Sequence, residues 1–234
     1  MHAAEQSDAA ALSSLTMGAS NLARASIEGS GASAADALGV SGMRLNFARN
    51  EEIFGEGELC CSIYRVLSGV VRTYRILADG RRQIAEFFLP GDIFGLEPTS
   101  DHRNSAEAVT DCRLLAMRRS QVDERAMNDG ATANKLWSLA LHRLRRTEEH
   151  MLVMGRKSAG ERVAWFLIDM SERIPAPDRV DLPMSRQDIA DFLGLTIETV
   201  SRTMTQLLED GIIALPSCRQ VVLRDRDTLV DMAA

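Results

Sequence analysis

The chain has 234 residues, 45% of them hydrophobic, and a formal net charge of -6, which suits one large or two modest domains. No run approaches the roughly 20 apolar residues that cross a bilayer, and the N-terminus lacks the basic and apolar regions of a secretory signal; no membrane partner is expected, and the expected compartment is the cytoplasm. The acidic balance opposes indiscriminate phosphate binding.

Residues 1–43 are rich in Ala, Ser and Gly and almost empty of aromatics. Weak helices fit residues 9–15 and 32–38, but neither carries enough apolar surface to offset an ordering cost of roughly 1 kcal/mol per residue. This stretch reads as a flexible or loosely docked arm. From 44 to 120 the texture changes to short strand-like runs, 62–67, 70–77 and 83–88, punctuated by Ser68-Gly69, Asp79-Gly80 and Pro90-Gly91-Asp92 and followed by a last run at 109–117. Asp-Gly between apolar runs signals a hairpin, because a type I′ turn needs positive φ at both central residues. Many short strands at this spacing predict an antiparallel barrel or double-sheet roll.

The next segment, 121–154, is helical. Trp137, Ala140, Leu141, Leu144, Met151 and Leu152 recur at helical spacing, interrupted by Glu148, and Leu136 and Leu139 add a second apolar flank. A helix apolar on two sides suits one lying between its own barrel and a partner helix. A homodimer through Trp137, Leu141, Leu144 and Met151 is therefore expected, the alternative being a surface helix buried along one face. A break fits residues 155–158, a further helix 159–173, and Pro175-Ala176-Pro177 a stop.

Residues 185–202, SRQDIADFLGLTIETVSR, read as a helix, a tight turn at Gly194 and a second helix beginning at Thr196. Ser185 and Thr196 are good N-caps. Ile189, Ala190, Leu193, Val200, Met204 and Leu207 are spaced to pack the two helices together, leaving Thr196, Ile197, Glu198, Thr199, Ser201 and Arg202 at the exposed end. A carboxylate and a guanidinium four apart share a helix face. There Glu can accept from cytosine N4, while Arg forks onto guanine O6 and N7. The competing reading is a packing module whose Glu–Arg pair is a surface salt bridge worth tenths of a kcal/mol. After Gly211, residues 212–215 and 219–223 read as a two-stranded wing. Arg186, Arg202, Arg219, Arg224 and Arg226 lie in this last third, and a local basic face can bind DNA on an acidic chain.

Three stretches carry a family resemblance: FFLPGDIFGLE (87–97), GRKSAGERVAWFL (155–167) and IETVSR (197–202). Over nearly everything beyond the N-terminal arm the chain resembles the CRP/FNR family of bacterial transcription regulators. Its E-x-x-S-R at Glu198, Ser201 and Arg202 resembles the FNR branch. VVRTYRILADGRRQI and LPMSRQDIADFLGLTIETVSR look most like the FixK subgroup, which regulates genes for microaerobic respiration and nitrogen fixation. The resemblance implies an α+β chain with an N-terminal antiparallel β-roll (44–120) like a cyclic-nucleotide-binding barrel. A long dimerisation helix (121–154) and a C-terminal winged helix-turn-helix (155–234) would follow. It further implies a regulator, mainly an activator, that works with RNA polymerase and binds double-stranded DNA as a homodimer at a palindrome resembling TTGAT-N4-ATCAA. By that similarity Arg202 reads guanine, Glu198 the paired cytosine or neighbouring adenine, and Ser201 a thymine, with Ile197 beside them. Arg186, Gln187, Thr196 and Thr199 match phosphate-contacting positions.

The familiar effectors fit poorly. FNR proteins hold an iron–sulfur cluster on several N-terminal cysteines plus one in the barrel. Here the four cysteines are Cys60, Cys61, Cys112 and Cys218; none precedes Cys60, and a cluster ordinarily needs four ligands. Their irregular spacing also gives no disulfide framework, and Cys112 reads as a buried apolar thiol. In the cyclic-nucleotide branch Gly-Glu and a later Arg-Ser bind ribose and phosphate. Here Leu96 follows Gly95, and Asn104 precedes Ser105, with Arg103 on the opposite strand face. The four histidines, His2, His102, His142 and His150, are dispersed, so no catalytic or metal constellation is expected; His142 and His150 read as solvated. No cofactor is expected, and the chain does not read as an enzyme. The alternative is a roll gated by an unidentified ligand or by thiol chemistry. Cys218, in the wing beside Arg219, has the cationic neighbour found beside reactive cysteines, against the plainer reading of an inert thiol.

Overall fold

The computed structural model describes residues 26–27, 34–35, 38–174 and 179–234. Most of the expected arm, including the helix at 9–15, and the stop at Pro175-Ala176-Pro177 lie outside the described residues. Residues 34–35 form a strand instead of the helix expected over 32–38: Ala34 pairs with Gly42, and Ala35 with Ser41. The chain forms two compact units. One holds the described residues up to Ile76 with Ala85–Ser138, the other Leu77–Ile84 with Leu139–Ala234.

In chain order the strands of the first half are β1 (Ser26–Ile27), β2 (Ala34–Ala35), β3 (Ser41–Phe47), β4 (Glu52–Phe54) and β5 (Ser62–Ser68). They continue as β6 (Val71–Ile76), β7 (Arg82–Phe88), β8 (Ile93–Phe94), β9 (Ser105–Ala108) and β10 (Cys112–Arg118). One sheet runs β1-β3-β10-β5-β8, with β2 also on β3; the other runs β4-β9-β6-β7. The result is a double-sheet roll, not a closed barrel. Apolar residues from both sheets meet inside it, with Leu45, Val71, Phe94, Ala106 and Leu114 fully buried. Phe54, Tyr64 and Phe88 ring Phe94 at centroid distances of 6.1, 5.2 and 5.1 Å, close enough to add to simple area burial.

The hairpin between β6 and β7 is present, but its turn is not type I′. Gly80 N–H donates to the Leu77 carbonyl at 2.9 Å and Leu77 N–H to the Arg81 carbonyl at 2.8 Å. Gly80 has φ 82°, whereas Asp79 stays on the negative side. That is the three-residue loop in which only the last position is left-handed. Asp79 instead uses its carboxylate to accept from Arg81 N–H at 3.0 Å.

Two helices occupy the segment expected as one: α1 (Arg119–Asn128) and the 27-residue α2 (Gly130–Arg156). The break is Asp129, whose extended backbone interrupts the helix and whose carboxylate accepts from Ala131 N–H and the Thr132 hydroxyl. Next, α3 (Ala159–Arg173) starts with a reciprocal capping box between Ser158 and Glu161. Then come β11 (Arg179–Asp181), α4 (Arg186–Leu193), α5 (Ile197–Glu209), β12 (Ile213–Ser217), β13 (Gln220–Leu223) and α6 (Arg226–Ala233). The wing is a three-stranded sheet, β11-β13-β12. Its third strand and the terminal helix add to what sequence periodicity showed, both being too short for a period to emerge.

Candidate nucleic-acid interface

Helix α4 begins where Ser185 Oγ accepts from Asp188 N–H at 3.1 Å and the Asp188 carboxylate returns to Ser185 N–H at 3.0 Å. It ends at Gly194, with φ 61° and ψ 36°, a left-handed conformation that costs other residues roughly 1–2 kcal/mol. Thr196 then opens α5, its hydroxyl accepting from Thr199 N–H at 3.2 Å. Ile189, Ala190 and Leu193 of α4 and Val200, Met204 and Leu207 of α5 are buried, as their spacing predicts. Together these features are a helix-turn-helix.

The buried stripe of α5 leaves its other face open. Thr196, Ile197, Glu198, Ser201 and Arg202 are exposed, and Thr199 is half-buried. Among the described residues no hydrogen bond or ion pair engages the Arg202 guanidinium, so the surface salt bridge that competed with base reading is not formed. Glu198 has its carboxyl held below the usual range, first by its own backbone N–H, then by the Thr196 hydroxyl and by the Arg202 charge. This is the expected effect of a helix N-terminus on an anion. An acceptor that stays ionised thus stands beside a free guanidinium fork.

The expected phosphate residues are less uniform. Thr196 and Thr199 join hydroxyls at 3.1 Å at the start of α5. Gln187 is exposed, but its amide donates to Asp191 at 2.6 Å. Arg186 is half-buried, and its buried Nη1 has no partner; burial lowers its pKa, with Cys218 opposing. Cys218 is exposed in the turn of the wing.

Arg82, at the hairpin tip that belongs to the second unit, went unremarked in the sequence. It donates to Asp188 at 2.5 Å and to Asp191 at 2.7 Å, and no local pattern links residues 106 and 109 positions apart. His150 departs from expectation. Instead of being solvated it is half-buried, stacks on Phe192 at 4.2 Å, and pairs with the Phe192 carbonyl at 3.0 Å. Desolvation lowers its pKa. His142 is exposed, as expected.

On α2, Trp137, Leu141, Leu144, Met151 and Leu152 are exposed, at 65, 46, 55, 66 and 60%. So much exposed apolar surface on one helix is unusual for a chain that stays single. Within the roll, Cys112 is a buried free thiol, Glu97 pairs with Arg103 at 3.3 Å, and a cavity of about 20 Å³ is lined by Phe54, Tyr64 and His102 among others. That is space for about one water, far below the roughly 300 Å³ of a small-molecule pocket. No group of His, Cys, Asp and Glu among the described residues is arranged to hold a metal ion, and no described helix is long and apolar enough to cross a membrane.

Comparison with known proteins agrees with this architecture. Residues 44–129 match the cyclic nucleotide-binding domain family and residues 161–232 the Crp-like helix-turn-helix domain family. The chain is 49% identical over 215 residues to the nitrogen fixation regulation protein FixK of Azorhizobium caulinodans, covering 90% of this chain and 87% of that one. It is 44% identical to FixK of Rhizobium meliloti, covering 81% and 88%. Among solved structures, FixK2 from Bradyrhizobium japonicum superposes with a TM-score of 0.81 at 46% identity, covering 83% of this chain and 98% of that one. With the helix-turn-helix formed and its reading face open, the chain belongs to the CRP/FNR family of transcription regulators, on the FixK-like branch.

Proposed function

We propose that this regulator binds, as a homodimer in the cytoplasm, a palindrome resembling TTGAT-N4-ATCAA and activates genes of microaerobic respiration or nitrogen fixation, working with RNA polymerase. The observation that carries the reading is the unpaired Arg202 beside ionised Glu198 on the exposed face of α5. Arg202, Glu198, Ser201 and Ile197 read base edges, while Arg186, Gln187, Thr196 and Thr199 set register on phosphate. For Arg186 this requires the half-buried side chain to turn outward. Binding needs no small-molecule effector: the altered nucleotide pattern at Leu96 and Asn104 and the small cavity support this. The second reading is thiol gating at Cys218, favoured by its exposure in the wing turn.

A salt titration of purified protein on the palindrome and on scrambled duplex tests the proposal. Specific binding predicts a large affinity ratio while both affinities fall with salt. Equal affinity for the two duplexes overturns the half-site; a requirement for cell extract overturns effector independence. Repeating the titration after peroxide treatment, with wild type and Cys218→Ser, tests gating: equal weakening of both removes Cys218 from the mechanism.

A further inference from the structure

Arg82 and Gln83 lie far in sequence from the helix-turn-helix, yet residues 77–84 belong to the same compact unit. The Arg82 guanidinium spans two carboxylates one turn apart on α4, with Nη2 to Asp188 Oδ1 at 2.5 Å and Nε to Asp191 Oδ2 at 2.7 Å. The side chains are 23%, 6% and 12% exposed, respectively, so this ion triad is largely withdrawn from solvent. Gln83 adds a bond from its amide to the Phe192 carbonyl at 3.3 Å, at the end of the same helix. Burial alone would lower the Arg82 pKa, but Asp191 and Asp188 outweigh it and raise it.

Both carboxylates have second tasks. Asp188 closes the cap on Ser185, and Asp191 holds the Gln187 amide. Their orientation therefore sets the entry of α4 and the place of Gln187. We propose that Arg82 is a positioning residue for DNA recognition, a clamp that holds α4, and through it the reading helix α5, in the orientation that base contacts require. The inference rests on the reading of α5 as the DNA-reading helix. Two reasons make the guanidinium the needed group. Its fork satisfies two carboxylates at once, which a lysine ammonium does not match. Its removal also leaves two buried negative charges without their cation, where breaking such a set is strongly disruptive, on a helix that must approach phosphates.

The test uses full-length wild type, Arg82→Lys, Arg82→Ala and Asp191→Asn. Affinities for palindrome and scrambled duplex are measured alongside amide hydrogen exchange of residues 186–209 in DNA-free protein. Loss of one charge-assisted contact corresponds to about tenfold. Arg82→Ala, which loses its contacts to both carboxylates, is therefore expected to lower the palindrome-to-scrambled ratio at least about tenfold and to speed exchange in α4 and α5, with Arg82→Lys intermediate. A merely structural loss lowers both affinities in proportion to the folded fraction and leaves the ratio intact; that result overturns the clamp, as does unchanged exchange. If Arg82→Ala does not fold, Asp191→Asn, which opens one arm only, decides by the same ratio and exchange. If wild type shows no preference for the palindrome, the half-site reading fails. Exchange, followed also over α3 and α6, then decides: faster exchange confined to α4 and α5 of Arg82→Ala supports the clamp, and exchange that is unchanged or faster throughout overturns it.

Discussion

In the proposed reading, the free guanidinium of Arg202 serves as a donor fork and the carboxylate of Glu198, held ionised at the start of α5, as an acceptor. Arg202→Ala is expected to cost about 1–3 kcal/mol of specific binding and to relax the guanine requirement. Arg186→Ala should weaken all sequences alike, because a phosphate contact carries no base information. Comparing the two variants on palindromes altered at one base pair separates these roles. A residue in the roll gives a different signature. His102 is 3% exposed, stacked on Phe54 at 3.6 Å, and its Nδ1 has no partner. Desolvation, only partly opposed by Glu97, pushes its pKa down from 6.5 to about 4. The folded state therefore resists a proton that the unfolded chain accepts, so stability is full above pH 6.5 and falls as pH drops towards 4. At about 1.4 kcal/mol per pH unit, the loss over this window is about 3 kcal/mol. Thermal unfolding across it should show the slope in wild type and a flatter profile in His102→Phe, which keeps the ring stack.

At the level of elements, the turn of the helix-turn-helix is set by Gly194. Its φ of 61° disfavours any side chain, and a Cβ there would press against Met154 Cε of α2. That thioether end can move, so backbone conformation dominates the cost. Gly194→Ala is expected to destabilise by about 1–2 kcal/mol, measured by denaturant unfolding. Adding Met154→Ala, which clears the contact, should recover little. The caps at Ser185 and Thr196 and the alternation in the roll were legible in the sequence because each is a local rule. The break at Asp129 and the turn type at Gly80 were missed: side-chain capping and bulge formation are local alternatives that apolar periodicity does not distinguish. The helix expected at residues 32–38 gave way to a strand because Ala34 and Ala35 find backbone partners on β3, which outweigh a weak helical preference.

For the molecule as a whole, net charge -6 and DNA binding coexist because recognition depends on where cations stand. In the proposed homodimer the exposed Trp137, Leu141, Leu144 and Met151 along α2 meet the partner, and the proposed palindrome takes two reading helices. Leu144→Glu places a charge within that stripe and is expected to shift sedimentation from dimer to monomer. Affinity for the palindrome should then fall much more than affinity for a single half-site. Wild type sedimenting as a monomer at micromolar concentration would remove the dimer from the proposal.

Propensity and period encode a glycine-punctuated roll, a long apolar-striped helix, and two capped helices around Gly194 with Glu198 and Arg202 on the outer face. These follow from side-chain spacing within one element, where neighbours three, four or two positions apart meet whatever the rest of the chain does. The tertiary structure alone decided that Arg202 is unpaired, that Arg186 is tucked inward, that His150 is stacked beneath Phe192, and that Arg82 grips Asp188 and Asp191. Each of these depends on which distant side chains arrive at the same place and on how much water they displace. No period in the sequence records that.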